Sequence, residues 1–190
     1  MSEEIEAFLL TGGASRRMGR DKASLLVDGA VLAERIARSL SDYGIKVTVV
    51  GRSPLPGYDF IRDEVEFGGP LLAVAGIAAA RPFAVLVACD LPEFDARIVN
   101  LLRTKLGDSD AAVPDVAGRL QPLCALYRSS ALEEARLLAK AGEKAIIAWL
   151  HRLDVTRVTE EDLRAAGIAP STVRGVNTPE ELRRSLEAPE

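Results

Sequence analysis

The sequence predicts an α/β fold, a mostly parallel sheet covered by helices on both faces. Three observations carry that expectation. Short runs rich in apolar and β-branched residues alternate with amphipathic stretches along the whole chain. FAVLVACD (83–90) is apolar on both faces until its final acid, as a strand buried in a parallel sheet is. The glycine loop after LL (9–10) and the aspartate at 90 both fall at strand ends, where open α/β sheets bind ligands.

Taken in order, AFLLTGG (7–13) predicts a buried strand entering a glycine loop. VLAERIARSLSDYG (31–44) puts Leu32, Ile36, Ala37 and Leu40 on one helical face, and Gly44 stands where a helix end favours glycine. KVTVVG (46–51) is β-branched and predicts a strand, with a shorter one near Phe60–Arg62 after the loop RSPLPGYD. GGP (68–70) opens an apolar helix predicted over Leu71–Ala80, with proline suited to a first turn. A strand follows at Phe83–Asp90, then an amphipathic helix over Asp95–Leu106 with Asp95 as its cap. DAAVP (110–114) and PLCALY (122–127) predict strands, Ser130–Gly142 a helix, AIIAWLHRL (145–153) another, and DVTRV (154–158) a strand. In TPEELRRSLE (178–187) the cap threonine, the proline after it and Glu181 mark a helix start.

The 190 residues suit one compact domain over 1–190, and a hydrophobic share of 48% is enough for a real core. A net charge of -4 gives no reason to expect nucleic acid or a membrane surface, though a local cationic site remains compatible with it. No segment predicts a membrane span; the longest apolar stretch, Leu71–Ala80, is too short. The first residues, MSEEIE, are acidic where a secretory leader is basic, so a cytoplasmic location is expected. Cys89 and Cys124 form no CxxC and His151 is the sole histidine, which argues against a Cys/His zinc site. Both thiols are expected to be buried, Trp149 to be core, and His151 to be partly exposed and structural.

LLTGGASRRMGRDK (9–22) carries the chemistry. It is not a Walker A loop, because Gly13 and Gly19 are six apart and Lys22 comes two residues late. Adjacent Gly12 and Gly13 still allow backbone N–H groups to approach a ligand closely, and Arg16, Arg17 and Lys22 add fixed positive charge. Composition alone leaves two readings, a surface turn with solvated cations or a cradle for polyphosphate. Asp90, in CDLP (89–92), also has two, a loop cap or a magnesium ligand.

The order of residues resembles a known family. Leu10, Gly12, Gly13, Ser15, Arg17, Met18, Gly19, Asp21 and Lys22 meet every fixed position of the pattern L-[AT]-G-G-x-S-x-R-M-G-x-D-K. That pattern belongs to the nucleotidyltransferases that make molybdenum cofactor dinucleotides, and the match is nearest to the molybdenum cofactor guanylyltransferases. The resemblance implies a three-layer, Rossmann-like fold of the nucleotide-diphospho-sugar transferase kind. It implies GMP transfer from GTP to the terminal phosphate of molybdopterin, with Mg²⁺ as cofactor. By the same resemblance Leu10, Thr11, Gly12, Gly13, Lys22, Asp63 and Asp90 bind the nucleotide. Arg17, Lys22 and Asp90 are implied to be catalytic, and Asp90 and Asn177, the latter in VNTPEEL (176–182), to hold the metal. Arg119 and Gln121, in RLQPLCALY (119–127), border the acceptor side, although an ordinary core strand with a polar entry explains them equally well. Transient contact with molybdenum cofactor enzymes or their chaperones also follows from the resemblance.

Three departures stand out: Ala73 for a family glycine near the base, Gly175 for the first asparagine of N-V-N-T-P, and Thr11 where alanine is commoner. The first leaves CTP open as the nucleotide. Transfer to another phosphorylated acceptor, a non-catalytic nucleotide-binding regulator and a P-loop-like NTPase are the other readings. Intact Arg17, Lys22 and Asp90 argue against the regulator, and the misplaced lysine argues against the NTPase.

Overall fold

The computed structural model describes residues 2–12, 26–27, 30–63, 68–176, 178 and 181–182. After a 3₁₀ turn at Ser2–Glu4, β1 (Ile5–Leu10) is followed by a small antiparallel pair, β2 (Leu26–Val27) and β3 (Ala30–Val31). Next come α1 (Leu32–Asp42), β4 (Lys46–Gly51), β5 (Asp59–Arg62), α2 (Pro70–Ala75), β6 (Phe83–Ala88) and α3 (Ile98–Leu106). The second half holds β7 (Ala111–Val116), β8 (Arg119–Leu120), β9 (Cys124–Arg128), α4 (Ala131–Lys140), α5 (Ile146–Leu150), β10 (Val155–Thr159) and α6 (Glu160–Ala165).

Apart from the β2–β3 pair, the strands form one sheet in the order β10-β7-β9-β6-β1-β4-β5, with β8 paired to β7 outside that path. All pairs along the path are parallel except those of β9, which runs antiparallel to both β6 and β7. The sheet is therefore mostly parallel, as expected. The carboxyl ends of β1, β4, β5, β6 and β7 share one edge with the start of β9.

Alternation along β1 explains the layers. Ile5, Ala7 and Leu9 face a core cluster with Leu32 and Ile36 of α1, Leu102 of α3 and Leu163 of α6. Phe8 and Leu10 face the opposite cluster, with Leu71 of α2, Leu132 of α4 and Trp149 of α5. Side chains of period two thus divide between two helical layers. Trp149 is fully buried, donates its indole N–H to the Ala131 carbonyl at 3.0 Å and stacks on Tyr127 with ring centroids 4.6 Å apart. Cys89 and Cys124 are buried and form no disulfide, and burial pushes the Cys124 thiol up to about 12. His151 is exposed. Among the described residues no helix is long and apolar enough to cross a membrane.

The structure departs from the sequence reading in several elements. The apolar helix stops at Ala75, with Gly76 as its C-cap, instead of continuing to Ala80. Residues beyond it are taken by a tertiary contact: the buried Glu6 carboxylate accepts the N–H groups of Ala80 and Arg81. Asp95 does not cap α3; its carboxylate accepts the Arg97 N–H at 2.9 Å in the turn before the helix, which begins at Ile98. α6 was not expected as an element. Its start is a capping box, in which the Thr159 hydroxyl accepts from the Asp162 N–H and Asp162 accepts from the Thr159 N–H.

That box gives a pH-dependent prediction. The Lys105 ammonium and the Thr159 N–H and hydroxyl hold the Asp162 carboxyl down to about 2. A depressed carboxyl stabilises the fold fully above about pH 4, and the contribution disappears as pH falls through about 2. Asp162→Asn should cost about 0.5 kcal/mol at pH 7, because the pair with Lys105 is exposed and screened, and nothing once wild-type Asp162 is itself protonated. Thermal melts of both proteins across that pH range check it.

Candidate active site

Three strand ends build the site. Where β1 ends, the Thr11 N–H donates to the Val50 carbonyl at 2.8 Å and the Thr11 hydroxyl donates to the same oxygen at 3.3 Å. Thr11 thereby pins the start of the glycine loop to β4. β5 ends at Arg62, and the next residue, Asp63, donates its N–H to the Gly51 carbonyl at 2.8 Å. This brings the Asp63 carboxylate over Gly12: a Cβ built on Gly12 would lie 3.2 Å from Asp63 Oδ2. Gly12 and Asp63, distant in sequence, thus stand in contact, and a side chain on Gly12 would push the acid back by a few tenths of an ångström.

β6 delivers Asp90. The Cys89 N–H donates to the Leu10 carbonyl at 3.1 Å, so the turn after β6 lies beside the end of β1. The Asp90 carbonyl accepts the Val176 N–H at 2.9 Å, which draws Val176 to the same place. A Cβ on Gly175 would lie 3.0 Å from Asp90 Oδ1, so the carboxylate rests against the backbone at 175. Next along, the Thr178 hydroxyl accepts the Glu181 N–H at 3.1 Å, the helix start that the sequence predicts.

A cleft of about 640 Å³ opens beside Asp90. Arg119, Gln121, Leu123, Arg174 and Gly175 line it. Gln121 is fixed by its N–H to the Pro114 carbonyl at 2.8 Å, while its amide nitrogen donates to the Arg119 carbonyl at 3.2 Å. The hairpin carrying Arg119 turns through Ala117 and Gly118, whose φ values are 53° and 71°. Positive φ at both loop residues is what a type I′ hairpin requires.

Of the residues that the sequence singles out, Thr11, Gly12 and Asp63 meet at one strand-end cluster, and Asp90, Arg119 and Gln121 share the cleft. Leu10 joins the two through its carbonyl, while its side chain is core. Gly13, Arg17, Lys22 and Asn177 lie outside the described residues. Arg174 and Gly51 were not singled out as site residues. Neither has a local signal, since one follows a 3₁₀ turn and the other ends an ordinary strand.

The donors suit a hard cation that shares its shell with a ligand. Asp90 offers one carboxylate at the lip of an open cleft, and among the described residues no group of three or more His, Cys, Asp or Glu could hold a metal by itself. Magnesium takes one or two carboxylates and completes its coordination with phosphate and water.

Comparison with known proteins gives a consistent result. The family model for the MobA-like NTP transferase domain matches residues 7–158. A probable molybdenum cofactor guanylyltransferase of Pelotomaculum thermopropionicum is 30% identical over 185 residues, covering 94% of this chain and 90% of that protein. The molybdenum cofactor guanylyltransferase of Desulfosudis oleivorans is 28% identical over 194 residues, covering 98% and 96%. The crystal structure of molybdopterin-guanine dinucleotide biosynthesis protein A from Archaeoglobus fulgidus superposes with a TM-score of 0.79 at 26% identity, covering 95% of this chain and 96% of that one.

Proposed function

Because the chain belongs to the MobA-like NTP transferase family, we propose that it transfers GMP from GTP to the terminal phosphate of molybdopterin, releasing pyrophosphate. The observation that carries this reading is the placement of Asp90 between the Gly12–Asp63 cluster and an open cleft with cationic lining. Nucleotide on one side and acceptor on the other would meet at that carboxylate.

The acceptor phosphate is anionic at neutral pH, so its oxygen attacks the α-phosphorus without a general base. The bond from the α-phosphorus to the bridging oxygen breaks as the new one forms, and that oxygen leaves with pyrophosphate. Catalysis then consists of positioning and charge stabilisation. Gly12 and Gly13 present backbone N–H groups to the triphosphate, and Arg17 and Lys22 add positive charge. Asp63 takes the nucleoside, where its carboxylate lies above Gly12. Asp90 and Asn177 would hold Mg²⁺, which when bound would neutralise charge on the phosphates. Arg119 and Gln121 face the acceptor.

The test is turnover with GTP, Mg²⁺ and molybdopterin. Pyrophosphate and the guanine dinucleotide are expected in equal amounts, with CTP a poor substitute. Release of inorganic phosphate, or a preference for CTP, would contradict the reading; the CTP arm addresses Ala73 directly.

A further inference from the structure

The cleft beside Asp90 poses a charge problem. An acceptor phosphate entering it meets the Asp90 carboxylate, and bringing two anions together without compensation is costly. Among the described residues lining the cleft, the cations are Arg119 and Arg174. We propose that Arg174 is a specificity-determining residue that, together with Arg119, binds the dianionic phosphate monoester of the acceptor. The inference rests on the nucleotidyl-transfer reading above and extends it to a residue outside the signature motifs.

Arg174 is placed and held for this. Its neighbour Gly175 lies against the Asp90 carboxylate, and Val176 is hydrogen-bonded to the Asp90 carbonyl, so the backbone at 174 is tethered one residue from that contact. The absent side chain at 175 keeps the space beside Asp90 clear, since a Cβ there would approach Oδ1 and Oδ2 to 3.0 and 3.4 Å.

The contact to Glu160 leaves the guanidinium available. Arg174 Nη2 is 4.0 Å from Glu160 Oε1, the outer limit of an ion pair, and the arginine side chain is 57% exposed. Glu160 is already engaged elsewhere: Oε1 accepts the Ala117 N–H at 3.0 Å and Oε2 accepts from Arg164 at 2.6 Å. Its carboxyl is held below the ordinary range chiefly by that Ala117 N–H, so it stays anionic. Glu160 therefore links the turn that carries Arg119 to the arginine at 174. An incoming phosphate can take Arg174 from a long contact at little cost. Arginine suits the task because its planar fork pairs with two phosphate oxygens at once.

The experiment measures kcat and KM for each substrate in wild type, Arg174→Ala and Arg174→Lys, with GTP binding in the presence of Mg²⁺ followed separately. The alanine variant should raise the KM for molybdopterin by about tenfold to a hundredfold, with the KM and binding of GTP unchanged. Lysine should restore part of the loss, which a merely structural role would not produce. An unchanged molybdopterin KM overturns the inference, as does a rise in the KM for GTP instead, which would assign Arg174 to the triphosphate. If wild type transfers no GMP to molybdopterin, the functional reading fails and this inference with it. If wild type is active and Arg174→Ala matches it, only the inference fails.

Discussion

Replacing Asp90 by asparagine is expected to lower kcat for nucleotidyl transfer by about 10²–10³-fold. The change keeps the side-chain volume and the hydrogen bond that the Asp90 carbonyl accepts from Val176, so the backbone at this turn should be kept. What is lost is the negative charge of an oxygen donor at the cleft lip. An amide oxygen is a weaker partner for a hard divalent cation. The expected signature has two parts: turnover collapses and the Mg²⁺ concentration for half-activity rises, while binding of GTP without metal stays near wild type. Steady-state rates over a magnesium titration measure both. A variant within threefold of wild type, roughly 0.7 kcal/mol in barrier, would remove Asp90 from the chemistry.

Gly51→Ala should disrupt the nucleotide side although residue 51 carries no functional group. A Cβ there would lie 2.1 Å from the Thr11 hydroxyl oxygen, 3.2 Å from the Gly12 nitrogen and 3.3 Å from the Thr11 carbonyl carbon. The first distance is impossible, so Thr11 must rotate and lose its bond to the Val50 carbonyl, or β1 must shift where the glycine loop begins. Overpacking of this kind costs about 1–3 kcal/mol, and the displaced Gly12 and Asp63 should weaken GTP binding by about tenfold, or 1.4 kcal/mol. Thr11→Ala in the same chain removes the clashing oxygen and leaves only the backbone contacts, which ease with a few tenths of an ångström. The double variant should therefore regain most of the stability and binding. Chemical denaturation and calorimetric GTP titration of the four proteins check it, and a double variant as impaired as Gly51→Ala alone would contradict it.

The fold was legible where burial writes itself into composition. β6 is apolar on both faces because it has a helical layer on each side, and FAVLVA says so directly. Strand direction is different. β9 runs antiparallel between β6 and β7, yet CALYR has the same apolar character that a parallel strand would show. The end of α2 was hidden for another reason. Ile77 is fully buried and the alanines after it favour helix, but the Glu6 carboxylate, far off in sequence, captures the backbone N–H groups at 80 and 81. A local pattern cannot carry that contact. The capping box of α6 is legible in principle, since Thr159 and Asp162 have the right spacing.

The site divides in the same way. Asp90 is marked in the sequence because an acid ends an apolar run, and Thr178 because it begins a helix. Asp63 stands in the sequence among neighbouring acids with no local mark of its own; its place comes from the bond of its N–H to the Gly51 carbonyl and its contact with Gly12. Arg174 had no motif to point to it. Its place in the cleft follows from the hydrogen bond between Val176 and Asp90, which joins segments 86 residues apart in sequence.

The most direct test of the account is a crystal structure of this chain with a non-hydrolysable GTP analogue and Mg²⁺. The account predicts one triphosphate touched from two directions, by the Lys22 ammonium and by a metal ion on the Asp90 carboxylate, with the nucleoside beside Asp63. A nucleotide bound elsewhere, or one held by Lys22 while Asp90 contacts neither metal nor phosphate, would contradict it.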